Sequence, residues 1–277
     1  MKDPLARKLA AIVKERHLLS LDELVSRAIE DYGESDPSGE LRARALLANE
    51  LRRVGDYSKA KAIYESLLAE YPEENQQRVT LLNNYGALIH DLGEYEKAQV
   101  LYEESLHLSR MALGPEHPSV ATTMNNLASV YKARGDYERA LALYEESLHL
   151  SRMVLGPEHP SVATTMNNLA SLYEARGDSE RALALYKESL QFARRVLGDS
   201  HPDVARILNN LAGCLKQLGR YDDSVGYYRQ ALEIMERMLG LKNEQTRTLR
   251  ANLSAAEKSA RDAAEQGPAP DARTSRQ

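Results

Sequence analysis

The chain of 277 residues is 28% charged with a net charge of −5, and it holds 15 Tyr, one Phe and no Trp. That balance gives no reason to expect a nucleic-acid partner, which calls for a basic surface. It suits helices better than sheet, whose strands favour β-branched and aromatic residues. Cys214 is the only cysteine, so no intrachain disulfide can form. The N-terminal stretch "MKDPLARKLAAIVKERH" has no apolar run long enough for a signal core, so a reducing, cytoplasmic setting is expected. No stretch approaches the roughly 20 apolar residues of a membrane span.

Residues 1–36 read as an N-terminal helical pair. Leu5, Leu9, Ile12 and Val13, then Leu21, Leu24, Val25, Ala28 and Ile29, recur at helical spacing. The pair is either a cap or degenerate repeat, or a DNA-binding helix-turn-helix. The second reading lacks the third helix and the basic recognition face of such modules.

Between residues 40 and 240 five units follow, with turn glycines at Gly55, Gly93, Gly135, Gly177 and Gly219. From Gly93 onward the step is 42 residues, and Asn84, Asn126, Asn168, Asn210 and Asn252 keep it. Each unit reads as two helices. "HPSVATTMNNLASVYKARG" opens with Pro118 at a first helical position, where a missing N–H costs nothing, and stops at Gly135. Its partner "DYERALALYEESLHLSRMVLG" sets Ala140, Leu141, Tyr144, Leu148 and Met153 at helical spacing. Small residues at Ala128, Ala170 and Ala212 let the two helices approach closely.

One helical pair cannot bury its own apolar stripe, so the units must stack into an all-α solenoid. Residues 243–265 supply a first helix with no partner. It is more polar, with Glu257 where Leu215 stands one repeat earlier, as a capping helix requires. The tail 266–277 has little to bury and is expected to be disordered.

"NNLASVYKARGDYERALALYEESL" resembles the tetratricopeptide repeat in its small residue, aromatic, Gly-x-Tyr turn, Ala, aromatic and small-Leu order. The 42-residue form with "LGPEHPSVATTMNNLA" is similar to the repeats of kinesin light chains and related bacterial proteins. The resemblance covers about 40–264. It implies a right-handed superhelix of antiparallel helix pairs, closed here by the C-terminal capping helix. No heptad segment of the kind that joins kinesin light chains to the heavy chain is present, so motor transport is not implied.

The asparagine pairs are the chemistry to explain, since Asn is a poor helix former. With the turn glycine numbered 15, positions 4, 7, 8 and 11 share one arc at about 100° per residue, and in one unit hold Met124, Leu127, Ala128 and Tyr131. The opposite arc carries Thr122, Asn125, Asn126, Ser129, Lys132 and Ala133. First helices about 8–10 Å apart would present one Asn per three residues of an extended peptide, which advances about 3.3 Å each. An amide both donates and accepts, which suits a peptide group. The resemblance further implies backbone contacts from Asn84, Asn126, Asn168, Asn210 and Asn252 on a concave wall. Asn49 and the first pair members Asn125, Asn167 and Asn209 extend the candidate site. The alternatives are bonds to neighbouring helices, or solvent. Residues 101–142 and 143–184 differ only at Ala112/Val154, Val130/Leu172, Lys132/Glu174 and Tyr137/Ser179, so those two copies count as one observation.

Charge supplies a second signal. On the same wall Arg42, Arg52, Arg53, Lys132, Arg206 and Lys216 face only Asp91 and Glu174, which favours an acidic segment. The family's clamp for C-terminal carboxylates fails: Ala45, Thr122 and Asn126 stand where its basic residues belong. His117, His159 and His201 are a repeat apart, so they cannot converge on one metal. Each instead precedes Pro and starts a helix. No phosphate loop or nucleophile elbow occurs. The reading is a non-catalytic adaptor without metal or cofactor, binding an extended, acidic protein segment. A self-associating or regulatory subunit is the alternative, and a peptide-sensing regulator a third.

Overall fold

In the computed structural model, residues 4–17, 19–32, 37–71, 75–241 and 243–266 are described, and every regular element among them is an α-helix. Successive helix pairs pack as a solenoid. The chain divides into two compact units, residues 1–150 and 151–277. Residues 267–277 of the expected tail lie outside the described residues.

The first unit begins with α1 (Pro4–Lys14) and α2 (Leu21–Tyr32), which pack on α3 (Pro37–Arg53). Leu9, Ile12, Val13, Leu24 and Ala28 are buried there. The Lys59 ammonium fastens the turn between α1 and α2 by donating to the carbonyls of Arg16 (2.5 Å) and Leu19 (3.2 Å). Lys59 belongs to α4 (Tyr57–Glu70), the partner of α3, and α5 (Gln76–Asp91) with α6 (Tyr95–Leu113) form the next pair. The first unit ends with α7 (Pro118–Ala133) and most of α8 (Tyr137–Val154).

The second unit holds the end of α8 and then α9 (Pro160–Ala175), α10 (Ser179–Leu197), α11 (Pro202–Gln217), α12 (Tyr221–Leu239) and α13 (Glu244–Gln266). One core runs through it, from Ala163 and Ala170 past Tyr186, Leu208, Leu211 and Leu215 to Leu249 and Ala256.

Local chemistry sets the helix ends. His117, His159 and His201 are N-caps, each accepting through Nδ1 from the N–H two residues on, at 3.2 Å. That satisfies one of the orphan donors at a helix start. Gly135 takes φ of 81° with open space around it, so the left-handed backbone, not crowding, demands glycine. Crowding governs Gly86 instead. A Cβ there would meet the Tyr102 ring at 2.8 Å, so α5 approaches α6 even more closely than Ala128, Ala170 and Ala212 permit in the other units.

Each first helix is buried over a wider arc than its own partner requires. Besides Met124, Leu127, Ala128 and Tyr131, α7 buries Val120, Thr123 and Val130. The expected arc at positions 4, 7, 8 and 11 is therefore too narrow, because the second helix of the preceding repeat covers another flank, as α6 does for α7 and α10 for α11. Serines tie the pairs together from within. Ser105, Ser147 and Ser189 donate to the carbonyls of Val79, Ala121 and Ala163 at 3.2, 2.7 and 2.8 Å.

The last described helix, α13, carries a polar flank. Arg250 and Glu257 stand where Leu208 and Leu215 are buried one repeat earlier, and they fold back on α12 through Glu236 (2.6 Å) and Arg229 (2.7 Å). Thr246 is another departure: it occupies the register of Val120, Val162 and Val204, fully buried, with its hydroxyl unpartnered. An orphaned buried hydroxyl costs about 1–3 kcal/mol. Thr246→Val, which restores the repeat's own residue, should therefore raise stability by about 1 kcal/mol. A denaturant titration checks this, and an unchanged or lowered midpoint would contradict it.

In the first unit, the nearly buried Arg44 forks onto Glu70 (2.5 and 2.8 Å) and also donates to Ser66. The guanidinium hydrogen bonds, with help from Ser66, hold the Glu70 carboxyl at about 2, against an ordinary value of 4.5. Because the folded value is depressed, the stabilisation is complete above about 4.5 and disappears as pH falls through about 2. Glu70→Gln should lower the melting temperature at neutral pH, with the deficit closing across that window. A deficit independent of pH would show that the carboxylate charge is not the cause.

Candidate functional site

Position along a first helix decides where its asparagines point. Positions 5 and 6 are about 100° apart, so the two amides occupy opposite shoulders of the helix, each toward the neighbouring first helix on its side. Across stacked repeats, position 6 of one helix therefore meets position 5 of the helix before it.

In the second unit this meeting produces a continuous chain of amides. Asn252 donates through Nδ2 to Asn209 Oδ1 at 3.0 Å, and Asn209 donates to Asn210 at 3.2 Å. Asn210 donates back to Asn167 at 3.2 Å, and Asn167 to Asn168 at 3.4 Å. Asn167 is 1% exposed. The helical wheel sets it on an open wall beside Asn168, and the structure corrects that: flank burial draws its shoulder inward.

The first unit differs at each step. Asn83 is also buried, but its Nδ2 turns to Ser105 Oγ and Thr123 Oγ1, both 2.8 Å away, and to the Val79 carbonyl. Its Oδ1 is left buried and unpartnered. Position 5 of α3 is Ala45, which offers Asn84 no acceptor. The half-buried amides of Asn84 and Asn126 carry no hydrogen bond to another described residue. Asn125 is half-buried and engaged in a contact. Asn49 accepts from the Tyr64 hydroxyl at 2.8 Å, which leaves its own N–H groups available. Burial pushes the Tyr64 hydroxyl far above its usual range, so it remains a donor.

A cleft of about 780 Å³ opens between α3 and α5. Leu41, Ala45 and Leu81 form its floor, and Arg42, Asn49 and Asn84 stand on its walls with the glutamines and Thr80 of α5. Among the described residues its lining holds no carboxylate. A smaller cleft of about 410 Å³ lies beside α11 and α13, with Asp203, Arg206 and Asn209 against Met235 and Leu249.

The candidate cations are partly neutralised by neighbours. Arg53 pairs with Glu50 at 2.8 Å, Arg206 with Asp203 at 3.2 Å and Arg52 with Asp91 at 2.7 Å. Glu50 and Asp203 lie three residues from their arginines on the same helices, outside the arc from which the groove charge is read in sequence. Arg42 is exposed and Lys132 half-buried, and each is engaged in a contact; Lys216 is half-buried. Glu174 accepts from the Tyr186 hydroxyl at 2.9 Å.

Sequence reasoning missed Arg44 and the serine row. The row's signal was available, since Ser105, Ser147 and Ser189 share the 42-residue step. Among the described residues no cluster of three or more His, Cys, Asp or Glu could hold a metal ion. Cys214 is buried against the Ser179 carbonyl, and burial pushes its thiol up to about 11, so it is no thiolate at neutral pH. Among the described residues no helix is long and apolar enough to cross a membrane.

A model of the tetratricopeptide repeat matches residues 77–153, 126–195, 161–237 and 203–265, and a second matches 41–74. No curated protein matches the chain. Among solved structures it is similar to BtubC (BKLC) from P. vanneervenii, at 23% identity and a TM-score of 0.59, covering 100% of this chain and 98% of that one. It is also similar to a Podosopora anserina protein described as a kinesin light chain with nearly identical TPR-like repeats, at 23% identity and TM-score 0.55, over 74% and 99% of the two chains. A thermophilic TPR protein of Thermus thermophilus matches at 19% identity and TM-score 0.58, over 79% and 99%. At these identities the likeness concerns the fold alone. Tetratricopeptide repeats are general scaffolds for protein–protein interaction and bind protein partners. With matches running from residue 41 to residue 265, this chain belongs to the tetratricopeptide repeat family.

Proposed function

We propose that the chain is a non-catalytic scaffold that holds an extended, acidic segment of a partner protein along the wall of its first helices. The observation that carries this reading is the cleft between α3 and α5. It combines an apolar floor, the available N–H groups of Asn49, the unengaged amide of Asn84 and the cation Arg42, with no carboxylate among the described residues of its lining. Amides suit a peptide backbone because each both donates and accepts. The floor suits an occasional apolar side chain, and Arg42 sets the preference for acidic sequence and speeds its capture. Lys132, on α7 of the same unit, adds to the positive character.

Fluorescence anisotropy with fluorescein-labelled peptides rich in Glu and Asp tests the proposal. Binding should weaken as salt rises. Asn84→Ala and Arg42→Ala should each lower affinity by about 3–10-fold, the worth of one good hydrogen bond, with helicity unchanged. Peptides that do not bind, or affinities indifferent to both substitutions, would remove the basis for this function.

A further inference from the structure

We infer that the asparagine pairs divide into two jobs: those of residues 151–277 form a hydrogen-bonded wire that fixes the repeats in register, and the binding amides are Asn84 and Asn126. The second half rests on the proposed function; the first stands without it.

The wire follows from four consecutive bonds, Asn252 to Asn209 to Asn210 to Asn167 to Asn168, at 3.0–3.4 Å. Its two inter-helix links repeat one geometry: the position 6 amide donates to the position 5 carbonyl one repeat earlier. The remaining links run within a pair and hand the polarity on. A single Asn per repeat could not do this, because one amide cannot stand on both shoulders of a helix. That is why the residues come in pairs. The last helix, α13, has Ala251 at position 5 and only Asn252 to donate, as the end of a wire requires.

The first unit has the same register without the links. Asn84 finds Ala45 opposite, and Asn126 finds Asn83, whose amide is turned toward Ser105 and Thr123. Both position 6 amides thus keep their donors and acceptor for another molecule. The larger cleft opens beside Asn84, where the link is missing.

Two readouts on the intact chain test this. Asn210→Ala removes a donor and an acceptor from the wire. It should lower the melting temperature by roughly 2–6 °C and speed backbone amide exchange in α9 and α11 about tenfold. Asn252→Ala removes one end link and should have a smaller effect of the same kind. Asn126→Ala should leave both readouts unchanged. Equal losses from Asn126→Ala and Asn210→Ala, or no loss from Asn210→Ala, would overturn the division.

In anisotropy with the acidic peptides, the Asn84→Ala, Asn126→Ala double variant should lose at least about tenfold in affinity. Asn210→Ala should stay within about threefold of the parent. A parent that binds none of these peptides overturns the binding half and the proposed function together. The melting and exchange results then judge the wire by themselves.

Discussion

Burial of each first helix on two flanks is the constraint from which the other features follow. A hairpin of two amphipathic helices covers one apolar stripe, and the next hairpin covers another, so a first helix such as α7 keeps only a narrow strip for solvent. Residues at the edges of that strip are neither core nor surface. They face the equivalent edges of neighbouring helices, where an apolar side chain would lie half exposed and a charge would be partly desolvated. A short neutral amide that bonds to its counterpart suits such a place. The same constraint bears on the polar flank of α13, where Arg250 and Glu257 turn back onto α12.

The chain thereby becomes a surface whose parts differ although they share one repeat register. Asn168, Asn210 and Asn252 sit at the same register as Asn84 and Asn126, yet the former are engaged within the fold. What differs is the residue across the gap: Ala45 opposite Asn84, and opposite Asn126 an asparagine held by Ser105 and Thr123. A scaffold built this way can combine stiff repeats with receptive ones without changing its repeat motif. The buried thiol of Cys214 is accommodated as packing, not as a nucleophile.

Most of the fold was legible because it depends on periodicity and punctuation. The 42-residue step, the turn glycines and the His-Pro helix starts each name a local structure by themselves, as at His117 with its Nδ1 bonded to the Ser119 N–H. A helical wheel puts both asparagines beside the exposed arc. It cannot show what stands opposite, because that depends on the pitch between repeats, and so on the wheel alone Asn167 looks exposed. The groove charge is overstated in sequence for a related reason. Counting one arc leaves out partners three residues away, such as Glu50 for Arg53. Arg44 carries no visible signal, since its partner Glu70 lies 26 residues on in the other helix of the pair.

Paired asparagines are joined across repeats in residues 151–277 and unjoined at Asn84 and Asn126. Hydrogen exchange of individual asparagine side-chain NH₂ groups, followed by ¹⁵N-edited NMR, reads this most directly. Slow exchange is expected at Asn167, Asn209, Asn210 and Asn252, and exchange near the free-amide rate at Asn84 and Asn126. Uniformly fast exchange at all of these groups would show that no wire exists, and uniform protection would show that no amide is held ready for a partner.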